Sequence, residues 1–419
     1  MTEASAPSIE TDRALARSLL TAQAVRERAH EMLGLGEAGK LGHWRVEPQR
    51  LPVVADYVIL AMRENYPSLD IPFHARWRHF ATGGVDRWAT LAAGAQWADA
   101  AAEARAAFDL AIVSVLLDAG AGADWRYRLA DGSLLARSEG LAVASLEMFA
   151  RGSFSADPQD RLRADASRLA GIEAAEIARG FQVTAANPLV GLEGRAALLR
   201  SLGRAALSAP SIFGMQDLAR PGGLFDHLFE LQIRNGAIEA SSILTAVLTH
   251  LGSIWPSRLS LGGIALGDCW RHEALLRPDA TNGLVPFHKL SQWLSYSLIE
   301  PLQGAGANVT LIDGLTGLPE YRNGGLFIDL DVLSLKQKGE AMIPQEPACP
   351  LVVEWRALTV ALLDEVADLI RRKLGHDALA LPLAKILEGG TWAAGRRIAR
   401  QMRADGSPPL TILSDGTVF

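Results

Sequence analysis

Pro286-Phe287-His288-Lys289-Leu290-Ser291-Gln292-Trp293 and Leu318-Pro319-Glu320-Tyr321-Arg322-Asn323-Gly324-Gly325 frame the stretch around which this chain is organised. The first string opens a helical run through Tyr296 to Glu300. Residues 302–310 are short enough to be a connector, and Asp313-Gly314-Leu315-Thr316-Gly317 leads into the second string. Polar groups able to do chemistry are dense here. A lysine on the first string is placed to meet a carboxylate on the second across a shared pocket.

Outward from that stretch the pattern is helical. Apolar residues recur at helical spacing over 11–33, where Gly34 and Gly36 are expected to stop the helix, and over 53–63. Residues 86–117 are Ala-rich and periodic, and end at Gly120-Ala121-Gly122-Ala123-Asp124-Trp125. Further helices are expected over 138–150, 157–181, 196–207, 228–235 and 240–251. Residues 255–261 and 267–272 are expected to be loop or short helix. Residues 350–374 predict a long amphipathic helix with its charges on one face. Residues 383–402 predict another, interrupted at Glu388-Gly389-Gly390-Thr391, where Thr391 would cap the restart. The final residues, 409–419, carry an Asp415-Gly416 hairpin signal. Strand signals are few and no solenoid repeat is present. The expected fold class is mainly α with a few short strands.

The whole-chain properties narrow the function. The chain has 419 residues, about half of them apolar, enough for a sizeable core. No Gly/Ser-rich or Pro-rich linker divides it. The formal net charge of −6 argues against a general nucleic-acid binder, though not against one local anion pocket. Its two cysteines, Cys269 and Cys349, show no pairing pattern and fit a reducing compartment. The polar start predicts no signal peptide, and no run of about 18 apolar residues predicts a span. The expectation is a soluble cytoplasmic protein with no membrane partner.

Generic signatures of chemistry are missing. There is no Walker-type loop, no Gly-x-Gly-x-x-Gly after a strand, no His-Glu-x-x-His and no Gly-x-Ser-x-Gly. The histidines lack metal-ligand spacing, so neither metal nor cofactor is expected. The segment 310–317 partly matches a phosphoribosyltransferase loop, in which acids hold ribose hydroxyls and loop amides cradle phosphate. Only one acid, Asp313, is present, and Pro319 breaks the helix that should follow. Phe73-His74-Ala75-Arg76-Trp77-Arg78-His79-Phe80 packs rings, histidines and arginines into one segment. It is either a helix end packed by its aromatics, or a pocket wall in which Phe73, Arg76 and Trp77 stack on a planar group or hold an anion.

Five strings carry a family resemblance: residues 73–80; Asn187-Pro188-Leu189-Val190-Gly191-Leu192-Glu193-Gly194-Arg195; Gly267-Asp268-Cys269-Trp270-Arg271-His272; 286–293; and 318–325. On these, from about His43 onward, the chain resembles the uracil-catabolism family that fungi and bacteria carry beside a ring-opening enzyme like GTP cyclohydrolase II. Members of that family often carry a uracil phosphoribosyltransferase label. A more distant similarity is to the queuosine 5′-phosphate N-glycosylases, a helical family with a DNA-glycosylase-like fold. Their Tyr-Lys-Arg-Ala-Gln helix is similar to His288-Lys289-Leu290-Ser291-Gln292, and their Ala-Asp-Tyr-Arg to Pro319-Glu320-Tyr321-Arg322. Their Pro-Leu-Met-Glu-Glu-Arg is similar to residues 188–195, including Glu193. Glu320 replaces an Asp of that family, so the pocket geometry must differ. This resemblance implies a glycosylase-like core over 53–333, preceded by an N-terminal helix and loop (1–52) and followed by a C-terminal helical extension (334–419).

The resemblance implies cleavage of a ribosyl C–N bond through a cationic, oxocarbenium-like transition state. Glu320 would stabilise that charge and direct a water. Lys289 would lie beside it, keeping the acid ionised and binding or protonating the leaving group. For a 5′-phosphate the candidates are Arg322, His288, Arg76, Arg271 and the helix start at 389–391 with Arg396 nearby. For ribose hydroxyls they are Asp226, Asp268 and Asp313, with a turn or cap role as the alternative. Tyr321, Gln292 and Glu193 complete the expected substrate-binding set. The implied substrate is ureidoribose 5-phosphate, split to urea and ribose 5-phosphate. Two alternatives stand beside it: ribosyl transfer making UMP from uracil and phosphoribosyl pyrophosphate, and a sugar-phosphate or nucleotide-binding protein without turnover.

Overall fold

A computed structural model describes residues 9–118, 120–215, 218–255 and 258–413. Helices dominate. Among the described residues ten strands of two or three residues form five two-stranded sheets, one of them parallel, between 238–239 and 309–310. Among the described residues no helix is long and apolar enough to cross a membrane.

Two helices form the axis of the molecule. Lys289–Gly304 runs through the core with nearly every side chain from Ser291 to Leu302 buried, and packs on Ala100–Leu116 and Ala240–Leu251. Pro350–Leu374 packs on Ala22–Glu37 and Leu51–Asn65. One apolar cluster draws residues from the N-terminal, central and C-terminal thirds of the chain. The charges of Pro350–Leu374 do not all lie on one wet face, as the amphipathic reading expected. Glu354 and Arg356 are fully buried, and each is paired. Glu354 accepts the amides of Gly42 and His43 at 2.9 and 3.0 Å and lies 3.2 Å from His272 Nε2. Arg356 clamps Asp268 through two 2.8 Å bonds.

Several boundaries differ from the sequence reading, for local reasons. The first helix is two, Ile9–Leu19 and Ala22–Glu37, because Thr21 caps the second through the Ala24 amide. That second helix runs on through Gly34 and Gly36. Residues 86–117 are also two helices, each started by an aspartate, Asp86 and Asp99. Residues 157–181 hold only two short helices, Ala166–Ala170 and Ala174–Gly180. Residues 260–261, paired with 264–265, and residues 269–271 are strands where loop or short helix was expected. The helix 383–402 is not broken at its glycines. It widens into a π-turn over Leu387–Thr391 and continues as Trp392–Met402. The expected C-terminal hairpin falls mostly on residues outside those described; Ile412 bridges to Gln345.

Candidate functional site

The position of Lys289 is fixed by its neighbours. The antiparallel pair Cys269–Arg271 and Leu284–Pro286 delivers Asp268 beside the helix start, where its Oδ2 accepts the Lys289 amide at 3.0 Å. Arg356 and the Trp270 indole N–H, 2.7 Å away, hold the Asp268 carboxylate and keep it well below the usual carboxylate range despite its burial. His288 takes a left-handed backbone, φ 49°, a conformation rare outside glycine and found where surrounding structure enforces it. The chain thus turns sharply and leaves Lys289 as the first helical residue, 9% exposed.

Glu320 arrives from the opposite direction. It is the N-cap of Tyr321–Asp329, its carboxylate accepting the amides of Arg322 at 2.8 Å and Asn323 at 2.5 Å. Capping and site roles are therefore compatible. The two positions are tied by polar groups inside the core. Gln292, one turn along from Lys289, accepts the Thr316 amide at 3.0 Å, and the Tyr296 hydroxyl donates to the Thr316 carbonyl at 3.0 Å. The loop leading to Glu320 is thereby pinned to the helix that carries Lys289.

Lys289 and Glu320 line one cavity of about 430 Å³, with Tyr321, Leu318 and Leu290. The rest of the wall comes from three distant segments. His74 and His79 form one side with Trp293 and Trp392. Asp118 and residues 120–123 form another. Arg137 and Ser138 stand at the exposed edge. Burial drives the Lys289 ammonium below the ordinary lysine value, and Glu320 is the strongest influence pulling it back up. Burial, then the Arg76 guanidinium, pushes the His79 imidazole down to about 3, so it is neutral at working pH. His74 Nδ1 lies 2.7 Å from Glu388, which assigns the proton to Nδ1 because a carboxylate only accepts. Glu388 and Trp392 both belong to the π-turn region, a distortion often found at functional sites. His79 Nδ1 and Trp293 Nε1 are buried without a hydrogen-bond partner.

Asp118 is a second cavity carboxylate, its side chain 7% exposed. Ser138 Oγ donates to its Oδ2 at 3.1 Å, and its Oδ1 lies 3.1 Å from the Arg76 guanidinium. Arg76 is fully buried over the Trp293 ring, 5.6 Å from its centre, and also bonds Ser114 Oγ at 2.7 Å. Buried Arg195 supports the 120–123 wall by donating to the carbonyls of Leu117, Val190 and Gly120. Among the described residues no group of three or more His, Cys, Asp or Glu is placed to hold a metal ion.

Many expected residues lie elsewhere. Asp226 is held by Arg105 on the surface, and Glu193 is paired with Arg200. Asp313 accepts the Leu383 amide at 2.7 Å and pairs with Arg371, so it joins elements rather than facing the cavity. Asp268 acts through the helix start. Arg271 is exposed and donates to the Asn282 carbonyl at 3.1 Å. His288 is buried with Nε2 2.9 Å from the Leu19 carbonyl, which removes it as a phosphate donor here. Trp77 is a core anchor, its indole donating to the Ser297 carbonyl at 2.7 Å, and Phe73 packs against the core. Arg322 reaches back to the Gly406 carbonyl at 2.9 Å, next to the cavity but not among its lining residues. The 389–391 segment offers no helix start for a phosphate. It lies inside the continuous helix, and Gly389 and Gly390 sit against Ile71 and Val58.

Comparison with known proteins adds a relationship along the whole chain. Residues 18–419 match the model of a family described as "Protein of unknown function (DUF1688)". The chain belongs to this family. It is 38% identical over 412 residues to "Protein urg3" of Schizosaccharomyces pombe, covering 96% of this chain and 98% of the relative. It is 38% identical over 431 residues to "Uracil catabolism protein 4" of Lachancea kluyveri, covering 94% and 97%.

Proposed function

We propose that this DUF1688 protein is an N-ribosyl hydrolase of uracil catabolism, cleaving the C–N bond of ureidoribose 5-phosphate or a close relative to urea and ribose 5-phosphate. The name of the Lachancea kluyveri relative supports the uracil-related role. The observation that carries the chemistry is the meeting of Lys289 and Glu320 in one partly closed cavity.

In this mechanism the anomeric carbon sits against Glu320, whose charge opposes the positive charge growing on the sugar as the C–N bond lengthens. The bonding electron pair leaves with the ureido nitrogen. Lys289, its affinity for the proton lowered by burial, supplies that nitrogen with a proton. Water adds to the anomeric carbon and gives up a proton towards Glu320, so urea and ribose 5-phosphate form with one water consumed. Trp293, Trp392 and the two histidines offer an aromatic wall for the planar ureido group. Arg137, exposed at the mouth, offers a guanidinium for the phosphate. Ribosyl transfer gains no such support, because Asp313, the one acid of its loop, is engaged by Arg371 and the Leu383 amide.

The test gives the purified protein ureidoribose 5-phosphate in one tube, and uracil with phosphoribosyl pyrophosphate in another. Urea release in the first is the expected result. UMP formation in the second, or tight binding in the first without turnover, overturns the proposal.

A further inference from the structure

We infer that Asp118 accepts a hydrogen bond from the 2-hydroxyl of the sugar, so that the site selects ribo- over 2-deoxyribo-phosphates. This rests on the hydrolase reading and deepens it, since none of the acids expected from sequence to hold the ribose faces the cavity.

The geometry carries the inference. An ionised aspartate has about four acceptor positions on its two oxygens. Ser138 Oγ claims one of them on Oδ2 at 3.1 Å, while Oδ1 is buried against the Arg76 guanidinium, also at 3.1 Å, and is closed to a ligand. What is left to a ligand is on Oδ2, on a cavity wall and with the side chain only 7% exposed. Such an anion is set in place at a cost and stays under-used until a ligand brings donors. Arg76 cannot serve as the ligand contact instead. It is fully buried, and Ser114 Oγ, the Ser138 carbonyl and Asp118 fix its position behind the wall. Its role is to hold the Asp118 charge in place.

The sugar 2-hydroxyl, the group that a 2-deoxy sugar lacks, matches the acceptor position left on Oδ2. The ureido N–H groups are the competing donors, and the layout of the cavity disfavours them. Asp118 is bonded to Ser138, the chain neighbour of Arg137 at the mouth, where the phosphate end is placed. The rings suited to a planar ureido unit, Trp293 and His79, are on the aromatic wall. The sugar lies between these ends, on the Asp118 side.

Titration calorimetry of the wild-type protein with ribose 5-phosphate and with 2-deoxyribose 5-phosphate tests the inference without relying on turnover. Ribose 5-phosphate is expected to bind about 10²-fold more tightly, the loss expected when a built hydroxyl site meets a ligand lacking the hydroxyl. In Asp118→Asn the gap is expected to close to within about 10-fold. Ser138→Ala, which leaves the Arg76 pair intact, is expected to narrow it as well and serves if Asp118→Asn does not fold. Equal binding of both sugars by the wild-type protein overturns the inference while leaving the hydrolase reading standing if urea is still released. A gap that persists in a folded Asp118→Asn variant overturns the assignment to this residue. If neither sugar phosphate binds and no urea is released, the hydrolase reading itself fails and this inference falls with it.

Discussion

Gly324→Ala isolates the placement of Glu320 from its chemistry. Gly324 lies four residues after Glu320 on the same short helix, and its amide donates to the Glu320 carbonyl at 2.9 Å. A Cβ built there would sit 2.5 Å from the Trp355 ring. Carbon atoms need about 3.5 Å, so the helix must back away by about 1 Å. Trp355 cannot yield easily, being 1% exposed and bonded through its indole to the Gly324 carbonyl at 3.2 Å. Overpacking of this kind costs about 1–3 kcal/mol, and replacing a helical glycine by alanine returns about 1 kcal/mol. The net loss of stability is therefore small, about 0–2 kcal/mol. A 1 Å displacement of a reacting carboxylate, by contrast, costs about 10²-fold in rate. The expected variant is folded, with a melting temperature a few degrees lower at most, and releases urea about 10²-fold more slowly. Gly34→Ala is the control. No atom lies within 4 Å of a Cβ there, so it should gain up to about 1 kcal/mol and keep its rate. A Gly324→Ala protein with wild-type turnover would refute the reasoning that this contact sets the reacting group.

Two further outcomes are expected. Lys289→Met should abolish urea release yet leave the protein as stable or more so, because burial already disfavours the ammonium in the folded state. The folded pKa lies below the unfolded value near 10.5, so wild-type stability should climb as pH rises through the alkaline range up to that value, and the variant should lack the climb in denaturant titrations. His79 behaves in the same sense at lower pH. Its imidazole is held down to about 3 against an ordinary 6.5, so its contribution is complete above pH 6.5 and is lost as pH falls towards 3. Between pH 6.5 and 5 that amounts to about 2 kcal/mol. A His79→Asn variant should lose about that much less over the same interval, and equal slopes would contradict the assignment.

The sequence made one part of the site legible and hid the rest for identifiable reasons. Lys289 and Glu320 stand in strings whose polar density and resemblance mark them, and the short connector limits how far apart they fall. Gln292 was visible too, but its part is structural, since its amide faces Thr316 rather than the cavity. Asp118 and Arg137 sit at element boundaries without any local pattern, and only the packing of Ala100–Leu116 against Arg137–Ala150 brings them to Lys289. The 73–80 string left two readings open, an aromatic-packed helix end and a pocket wall, and different side chains follow each. His74 and His79 line the cavity, whereas Trp77 turns into the core and Arg76 backs Asp118. The mainly helical class was legible because periodic apolar runs are long. The breaks at Thr21 and Asp99 were not, because a capping side chain declares itself only when an amide of the next turn is seen to donate to it. The Gly389-Gly390 pair looked like a break and is instead where the helix presses close against Val58 of Leu51–Asn65 and against Ile71 in the loop beyond it.

Urea release from ureidoribose 5-phosphate by Glu320→Gln, measured beside the wild-type protein at matched folded concentration, bears most directly on the pairing of acid and ammonium. Glutamine keeps an acceptor for the helix cap while removing the charge, so a folded protein slowed by at least about 10²–10³-fold is the expected result. Turnover within a few fold of wild type would contradict the account.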